Sequence, residues 1–199
     1  MPHTNVLSIA LDGLTDPLLA PLPLEAAELL HRLDAPPRLV AHLRAVHDVA
    51  VRLLNRVTQH CPALVVDRDA VLFGAATHDI GKVLYPAELS GPGSRHEEAG
   101  RELLLAQGVD AARAEFAATH ASWRSPDVCV EDLLVSLADK IWKNKRVPDL
   151  EDLLVGRLAE AGGRAVWEEF MVLDEVLTDI GAEADQRLAY QMSHPLPRG

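Results

Sequence analysis

The chain has 199 residues, of which 48% are hydrophobic, and this indicates a globular protein with one substantial core rather than a disordered chain. Its 30 acidic residues against 19 Lys and Arg give a net charge of −11, which disfavours binding of polymeric nucleic acid because that binding depends on neutralising phosphates. No stretch approaches the roughly 18 consecutive apolar residues of a membrane span, and the N-terminus lacks a basic segment before an apolar one, so we expect a cytoplasmic protein without a membrane partner.

Helical periodicity dominates the chain, and the sequence predicts an all-α fold. A lead-in over residues 1–35, rich in Leu and Pro, contains one short helix at about 24–31. A long helix begins at Pro36 and Pro37, because proline is tolerated in the first turn, and its apolar residues recur with a helical period. These residues are Val46, Val49, Ala50, Leu53, Leu54 and Val57.

Further helices are predicted from caps and breakers. Asp67 caps a helix that runs into His78, and Ser94 with Glu97 has the spacing of a capping box for the next helix. After a glycine, another helix covers residues 110–121.

The C-terminal part of the chain is predicted to contain three more helices. A strongly periodic one covers residues 130–145, a shorter one covers 149–158, and a long final helix covers about 164–192. No internal linker separates these elements, which indicates a single domain. Cys61 and Cys129 are too few for a disulfide framework, and we expect both to be buried thiols.

The most informative stretch is His-Asp-Ile-Gly-Lys at residues 78–82, where an apolar helix meets a glycine turn. Isolated buried charges are costly without a partner, and one divalent cation would satisfy His78 and Asp79 together. Further candidate ligands lie on the apolar faces or near the ends of other predicted helices. They are His42, His96, His120 and Asp139. Imidazole nitrogen and carboxylate oxygen are the usual ligands of Zn, Fe, Mn and related ions, so the sequence predicts a metal site built from separate helices.

One ligand has a competitor. His47 lies five residues after His42, on a different face of the same helix, and is followed by Asp48. Helical phase favours His42 as the ligand, and we expect His47 to be solvated or to support the site from outside it. His31, His60 and His194 lack supporting partners in the sequence and are expected at the surface.

The ordered set of ligands and its context resembles the HD superfamily of metal-dependent phosphohydrolases. The helix around His42, the turn from Phe73 to Lys82 and the segment Leu-Ala-Asp-Lys at 137–140 resemble the family's three core motifs. Two further segments, 96–100 and 119–120, resemble the extra histidines of members that hold two metals.

The resemblance implies a helical bundle with a metal site at its centre. The domain would cover residues 1–199, with the HD core at about 36–145, the lead-in at 1–35 and a C-terminal helical extension at 146–192. The first metal would be bound by His42, His78, Asp79 and Asp139. Asp79 would bridge to a second ion held by His96 and His120. The cofactors implied are one or two divalent transition-metal ions, namely Fe, Mn, Co, Ni or Zn, with Mg also compatible.

The activity implied is hydrolysis of a nucleotide or another small phosphate ester. Such ions lower the pKa of water and polarise a phosphoryl oxygen, so they supply both a nucleophile and charge stabilisation. We assign catalytic roles to Asp79 and Lys82, and contacts to the substrate phosphate to Lys82 and Arg95. Lys140 is expected to point away from Asp139.

Two other functions fit the same residues. A di-iron oxygenase of HD type acting on a small molecule would use the same ligands, and a metal-stabilised nucleotide sensor would bind without turnover. The sequence lacks the Gly-Tyr-Pro extension of HD phosphodiesterases that cleave cyclic di-GMP, which argues against that substrate. The apolar residues of the last helix suit a homodimer as well as a core.

Overall fold

The computed structural model describes Leu7, Ala10, Leu11 and residues 16–125 and 127–196. Within these residues the regular secondary structure is helical, without a β-strand, which confirms the all-α prediction. The helices in chain order are α1 (Leu24–Arg32), α2 (Pro37–His60), α3 (Arg68–Thr77), two 3₁₀ helices (Ile80–Val83 and Pro86–Leu89), α4 (Arg95–Ala106), α5 (Ala111–Ala114), α6 (Phe116–Thr119), α7 (Val130–Ile141), α8 (Pro148–Gly162), α9 (Val166–Gly181) and α10 (Ala184–Ser193).

The long helix α2 is the axis of the fold. It starts at Pro36 and Pro37, as predicted, and ends at His60, two residues before Pro62. Every residue from 39 to 50 is buried, because α3, α7, α9 and α10 all pack against this helix. Polar side chains in that segment are therefore held inside the protein.

Buried apolar side chains form two clusters. The larger one surrounds α2 and includes Leu53, Leu134 of α7 and Leu177 of α9. The smaller one joins α1, the first half of α2 and the region from α3 to α4, and it includes Leu30 and Leu104. Because the larger cluster draws on α8 and α9 as well as α2 and α7, the C-terminal helices pack onto the same core.

Aspartate side chains cap two helix starts, and the cap at Asp67 was predicted. The side chain of Asp67 accepts a hydrogen bond from the backbone N–H of Ala70 at 3.0 Å, and Asp110 accepts one from Arg113 at 3.0 Å. The predicted capping box at Ser94 is wrong, because the Ser94 side chain makes no capping bond.

Two predicted helices are shorter than expected. The segment 110–121 forms the short helices α5 and α6, and the helix predicted over 130–145 ends at Ile141. Asn144 takes a left-handed conformation, with φ of 57°, and the backbone N–H of Lys145 closes back onto the helix. Asn tolerates this conformation better than most residues, so it terminates α7.

The predicted final helix is broken into α9 and α10 between Gly181 and Ala184. Arg187, which is fully buried, stabilises the break. Its Nε donates to the carbonyl oxygen of Trp142 at 2.9 Å, and its Nη2 donates to that of Ile180 at 2.5 Å. One guanidinium thus satisfies carbonyl oxygens at the ends of α7 and α9. This is a tertiary contact, which the apolar periodicity of the sequence does not predict.

Several side chains lie elsewhere than predicted. Cys61 is buried as expected, but Cys129 is exposed because it caps α7 instead of filling the core. His194 is buried rather than at the surface, and His60 lies 2.7 Å from a carboxylate oxygen of the fully buried Glu169.

Of the helices in the described residues, none is long and apolar enough to cross a membrane.

Candidate metal centre

The six predicted ligands converge in one buried cluster. It is formed where α2, the end of α3, the start of α4, the end of α6 and the last turn of α7 meet. The residues are His42 on α2, His78 and Asp79 directly after α3, His96 in the first turn of α4, His120 directly after α6 and Asp139 on α7. None of the six is more than 8% exposed.

Two of the imidazoles are oriented by the helix that precedes them. His78 Nδ1 lies 3.0 Å from the carbonyl oxygen of Ala75, and His120 Nδ1 lies 3.0 Å from that of Ala117. A carbonyl oxygen only accepts, so Nδ1 carries the proton in both rings and Nε2 presents a lone pair to the cluster. Each histidine stands three residues after its carbonyl, at a helix end where such oxygens lack helical partners.

The two oxygens of Asp79 face different sets of imidazoles. Its Oδ2 lies 3.0 Å from His42 Nε2 and 3.6 Å from His78 Nε2. Its Oδ1 lies 2.9 Å from His96 Nε2 and 3.6 Å from His120 Nε2. This is the arrangement expected of a carboxylate that bridges two neighbouring positions.

Asp139 joins the first of these sets. Its Oδ1 lies 3.5 Å from His78 Nε2 and 3.9 Å from His42 Nε2. Ligand atoms of these three residues all lie within 4.8 Å of one another, as do those of His78, Asp79 and His120. The donors are spaced closely enough to share a cation within each group.

Several nitrogen and oxygen atoms of the cluster lack hydrogen-bond partners among the described residues, and this also suits metal ions. Nε2 of His42 and Nε2 of His78 are 3.3 Å apart, and the latter carries no proton. Although 2.9 Å apart, His96 Nε2 and Asp79 Oδ1 are buried without a well-directed hydrogen bond to any described group. Buried polar atoms normally have partners, and lone pairs that converge without protons between them suit divalent cations with nitrogen and oxygen ligands.

Burial and charge set the protonation states of these groups. Burial alone would raise the pKa of Asp79, but its interactions with His78, the other imidazoles and the Lys82 ammonium hold that pKa well below its ordinary value. Burial likewise opposes ionisation of Asp139, yet its interactions with His78 and the Lys140 ammonium leave its pKa lowered. Burial lowers the pKa of His42, and it lowers that of His120 to about 4. The two carboxylates, His42 and His120 are thus held in the states that bind metal ions, whereas interactions with Asp79 and Glu88 outweigh burial and raise the pKa of His96.

Lysine ammonium groups lie against both carboxylates. Lys82 Nζ is 2.5 Å from Asp79 Oδ2, and Lys140 Nζ is 2.6 Å from Asp139 Oδ2. The expectation that Lys140 points away from Asp139 is therefore wrong, because its long side chain folds back along the last turn of α7. Its ammonium also lies 5.7 Å from the centroid of the Trp123 ring.

Arg95, the other predicted phosphate contact, lies at the edge of the site. It is exposed, and its guanidinium stacks over the ring of Tyr85 at 4.4 Å. His47 lies outside the cluster, as helical phase indicates, but it is buried rather than solvated. It lines a separate pocket of about 580 Å³ formed with residues of α1, α3 and the segment before α1.

Glu88 is the residue of this region that the sequence reasoning missed. Its Oε2 lies 2.6 Å from His96 Nδ1 and accepts from the backbone N–H of His96 at 3.2 Å. Its Oε1 accepts from the backbone N–H of Arg95 at 3.3 Å. Glu88 thus caps α4 in place of Ser94. No spacing rule pairs a glutamate with a helix seven residues away across a Gly-Pro-Gly loop, so the sequence offered no clear signal.

Comparison with known families finds an HD domain over residues 39–142, which is 104 of the 199 residues. The matched span begins three residues before His42 and ends three residues after Asp139, so it contains all six residues of the cluster. No curated protein and no solved structure matches the chain. HD domains bind divalent metal ions, and their family is generally one of metal-dependent phosphohydrolases. The helical fold, the family match and the convergent histidines and aspartates agree, and the chain belongs to the HD-domain family.

Proposed function

We propose that the protein is a metal-dependent phosphohydrolase that acts on a nucleotide or another small phosphate ester. The observation that carries the proposal is the position of Asp79, whose two oxygens each face a separate set of imidazoles. Cationic side chains next to the carboxylates of Asp79 and Asp139 add the positive charge that an anionic substrate needs.

The ligand roles follow the two faces of Asp79. His42, His78, Asp79 and Asp139 would hold the first ion, and Asp79, His96 and His120 would hold the second. Fe, Mn, Co, Ni and Zn all suit these donors, and Mg is also compatible. When bound, such ions make water a better nucleophile near neutral pH and polarise the phosphoryl oxygen.

The chain's own residues bind and orient the substrate. Lys82 and Lys140 can each donate from Nζ to a phosphate oxygen, since both ammonium groups lie at the carboxylates of the cluster. Arg95 would contact a more distant part of the substrate from the edge of the site. Trp123 beside Lys140, and Tyr85 beneath Arg95, offer aromatic faces next to cations, and this pairing supports a nucleotide as the substrate.

Element-specific metal analysis combined with a substrate panel tests the proposal. Wild-type protein, His78→Ala and Asp79→Ala would be loaded with Mn²⁺, Fe²⁺, Co²⁺ or Zn²⁺ and assayed against nucleotides and phosphomonoesters. We expect wild type to hydrolyse at least one phosphate ester, and both variants to lose bound metal and turnover. His31→Ala, on the exposed face of α1, is the matched control and should keep both.

The outcomes separate the competing functions. A fully metallated wild type that hydrolyses no phosphate ester would overturn the proposal. A mixed-valent iron signal together with O₂-dependent turnover would establish the di-iron oxygenase instead. Tight nucleotide binding without product would establish a sensor.

A further inference from the structure

His96 differs from the other histidines of the cluster in what can orient it. His78 and His120 each follow a helix, so a carbonyl oxygen three residues earlier takes the proton of Nδ1. His96 is instead the second residue of α4, and three residues before it stands Gly93, in the loop. No helical carbonyl precedes it, so a different group must fix its ring.

Glu88 supplies that group. It lies in the second 3₁₀ helix, its side chain is 9% exposed, and its Oε2 is 2.6 Å from His96 Nδ1. A carboxylate only accepts hydrogen bonds, so this contact keeps a proton on Nδ1 and leaves Nε2, which lies 2.9 Å from Asp79 Oδ1, as the nitrogen available to a metal ion.

The loop around Glu88 holds its carboxylate in one place. The backbone N–H groups of Arg95 and His96 donate to its two oxygens at the N-terminal end of α4, where the helix dipole stabilises a negative charge. The backbone of Gly93 passes close to the Glu88 carboxylate, since a Cβ there would lie 2.4 Å from it. The carboxylate is therefore held by the start of α4 and packed against the loop.

We propose that Glu88 is a positioning residue that builds the second metal subsite by holding the His96 ring with Nε2 toward Asp79. This inference rests on the metal centre of the proposed function and assigns a role to a residue that lies outside the ligand set. Glu88 does not touch the ion. It acts through His96, as outer partners of metal-bound histidines do.

Zn²⁺ titration tests the proposal, with Zn²⁺ bound per chain and the affinity of each ion as the readouts. We expect wild type to bind two ions and Glu88→Leu to keep the first while its affinity for the second falls by roughly 10- to 100-fold. Glu88→Gln keeps one acceptor oxygen and should give an intermediate loss. Glu98→Gln is the matched control, because Glu98 lies in the first turn of α4, is exposed and pairs with Arg101.

Imidazole ¹⁵N NMR of the Zn²⁺-loaded protein gives an independent readout. We expect His96 to hold the tautomer with its proton on Nδ1 in wild type and in Glu98→Gln, and Glu88→Leu to show a second His96 signal from rings that are not held in that tautomer. A variant that only weakened the helix would lose stability without this change.

The failures are distinguishable. Equal second-ion affinity in wild type and Glu88→Leu, or a wild type that binds one ion, overturns the inference and leaves the proposed function standing. A wild type that binds no ion overturns both. If Glu88→Leu does not fold, Glu88→Gln decides, and unchanged affinity and tautomer in that variant overturn the inference.

Discussion

Lys140 is the residue at which side-chain reach overrules helical direction. From its position on α7 it should point away from Asp139, yet its ammonium lies 2.6 Å from that carboxylate and its side chain is only 13% exposed. A lysine stem is long enough to bend back by about one turn, so the direction of Cβ does not fix where the charge lies. The charge therefore belongs to the site.

We predict that Lys140→Met weakens binding of inorganic phosphate to the metal-loaded protein by about 10-fold, because a charge-assisted hydrogen bond contributes on the order of 1.5 kcal/mol. Calorimetric titration with inorganic phosphate measures the effect, after metal analysis shows equal loading. Lys143→Met removes a nearby exposed ammonium and should change the affinity little. Equal effects of both substitutions would show that Lys140 acts only through net charge.

The choice between His42 and His47 shows what periodicity can decide. Both side chains are buried, so burial alone could not have separated them. Five residues turn a helix to a face about 140° away, and only His42 then faces the end of α3. Helical phase was therefore sufficient to choose His42. The contact between Glu88 and His96 depends instead on how a loop folds back, which no local sequence rule describes.

Among the elements, the first 3₁₀ helix and α4 pack backbone to backbone. A Cβ on Gly81 would lie 2.0 Å from the carbonyl oxygen of His96 and 2.7 Å from the backbone nitrogen of Gly100. The glycine after His78 and Asp79 is therefore required for close approach, and it brings His96 up to Asp79. The sequence predicted a turn at this glycine. It did not predict that α4, some fifteen residues later, packs against the glycine.

We predict that Gly81→Ala lowers the free energy of unfolding by about 3 kcal/mol, because overpacking against backbone cannot be relieved by a rotamer change. Gly156→Ala is the matched control, since it lies in α8 with no atom within 4 Å of a new Cβ. It should raise the free energy of unfolding by up to about 1 kcal/mol through helix propensity. Urea unfolding followed by circular dichroism measures both. If Gly81→Ala lowered the free energy of unfolding by no more than an ordinary surface substitution does, the close packing would be contradicted.

Element boundaries were predictable where a single residue sets them and not where the tertiary structure does. Pro37 and Asp67 start helices through their own backbone and side chain, and both were identified. The break after Gly181 depends on Arg187 reaching two carbonyls from a later helix. A continuous apolar repeat in the sequence hides such a break, because the residues on both sides still face the same core.

For the whole molecule, the core extends beyond the matched HD span. Leu150 of α8 and Leu177 of α9 lie in the same apolar cluster as Leu53 of α2, so the C-terminal helices complete that core. The boundaries of the domain stay a prediction. A homodimer through the last helices also stays a prediction, and it would cover Trp167 and Met171 on α9, which are 68% and 60% exposed.

The pH dependence of global stability should carry a contribution from His47 that is independent of the metal centre. Burial, followed by the charges of Arg44 and Arg68, lowers the pKa of His47 from 6.5 to about 4. Between these values the unfolded chain binds a proton that the folded protein does not, so the stability present above pH 6.5 is lost as the pH falls toward 4.

We predict that the free energy of unfolding of wild type falls by about 2 kcal/mol more than that of His47→Gln between about pH 7.5 and pH 5, as the shift in pKa requires. Urea unfolding at a series of pH values, with chelator present so that release of metal does not contribute, measures the difference. His31→Gln, which is exposed on α1, should retain the wild-type slope. The same slope in wild type and His47→Gln would mean that the His47 ring is protonated in the folded protein or is reached by water. In either case its unpaired Nδ1 would not be buried as the structure shows.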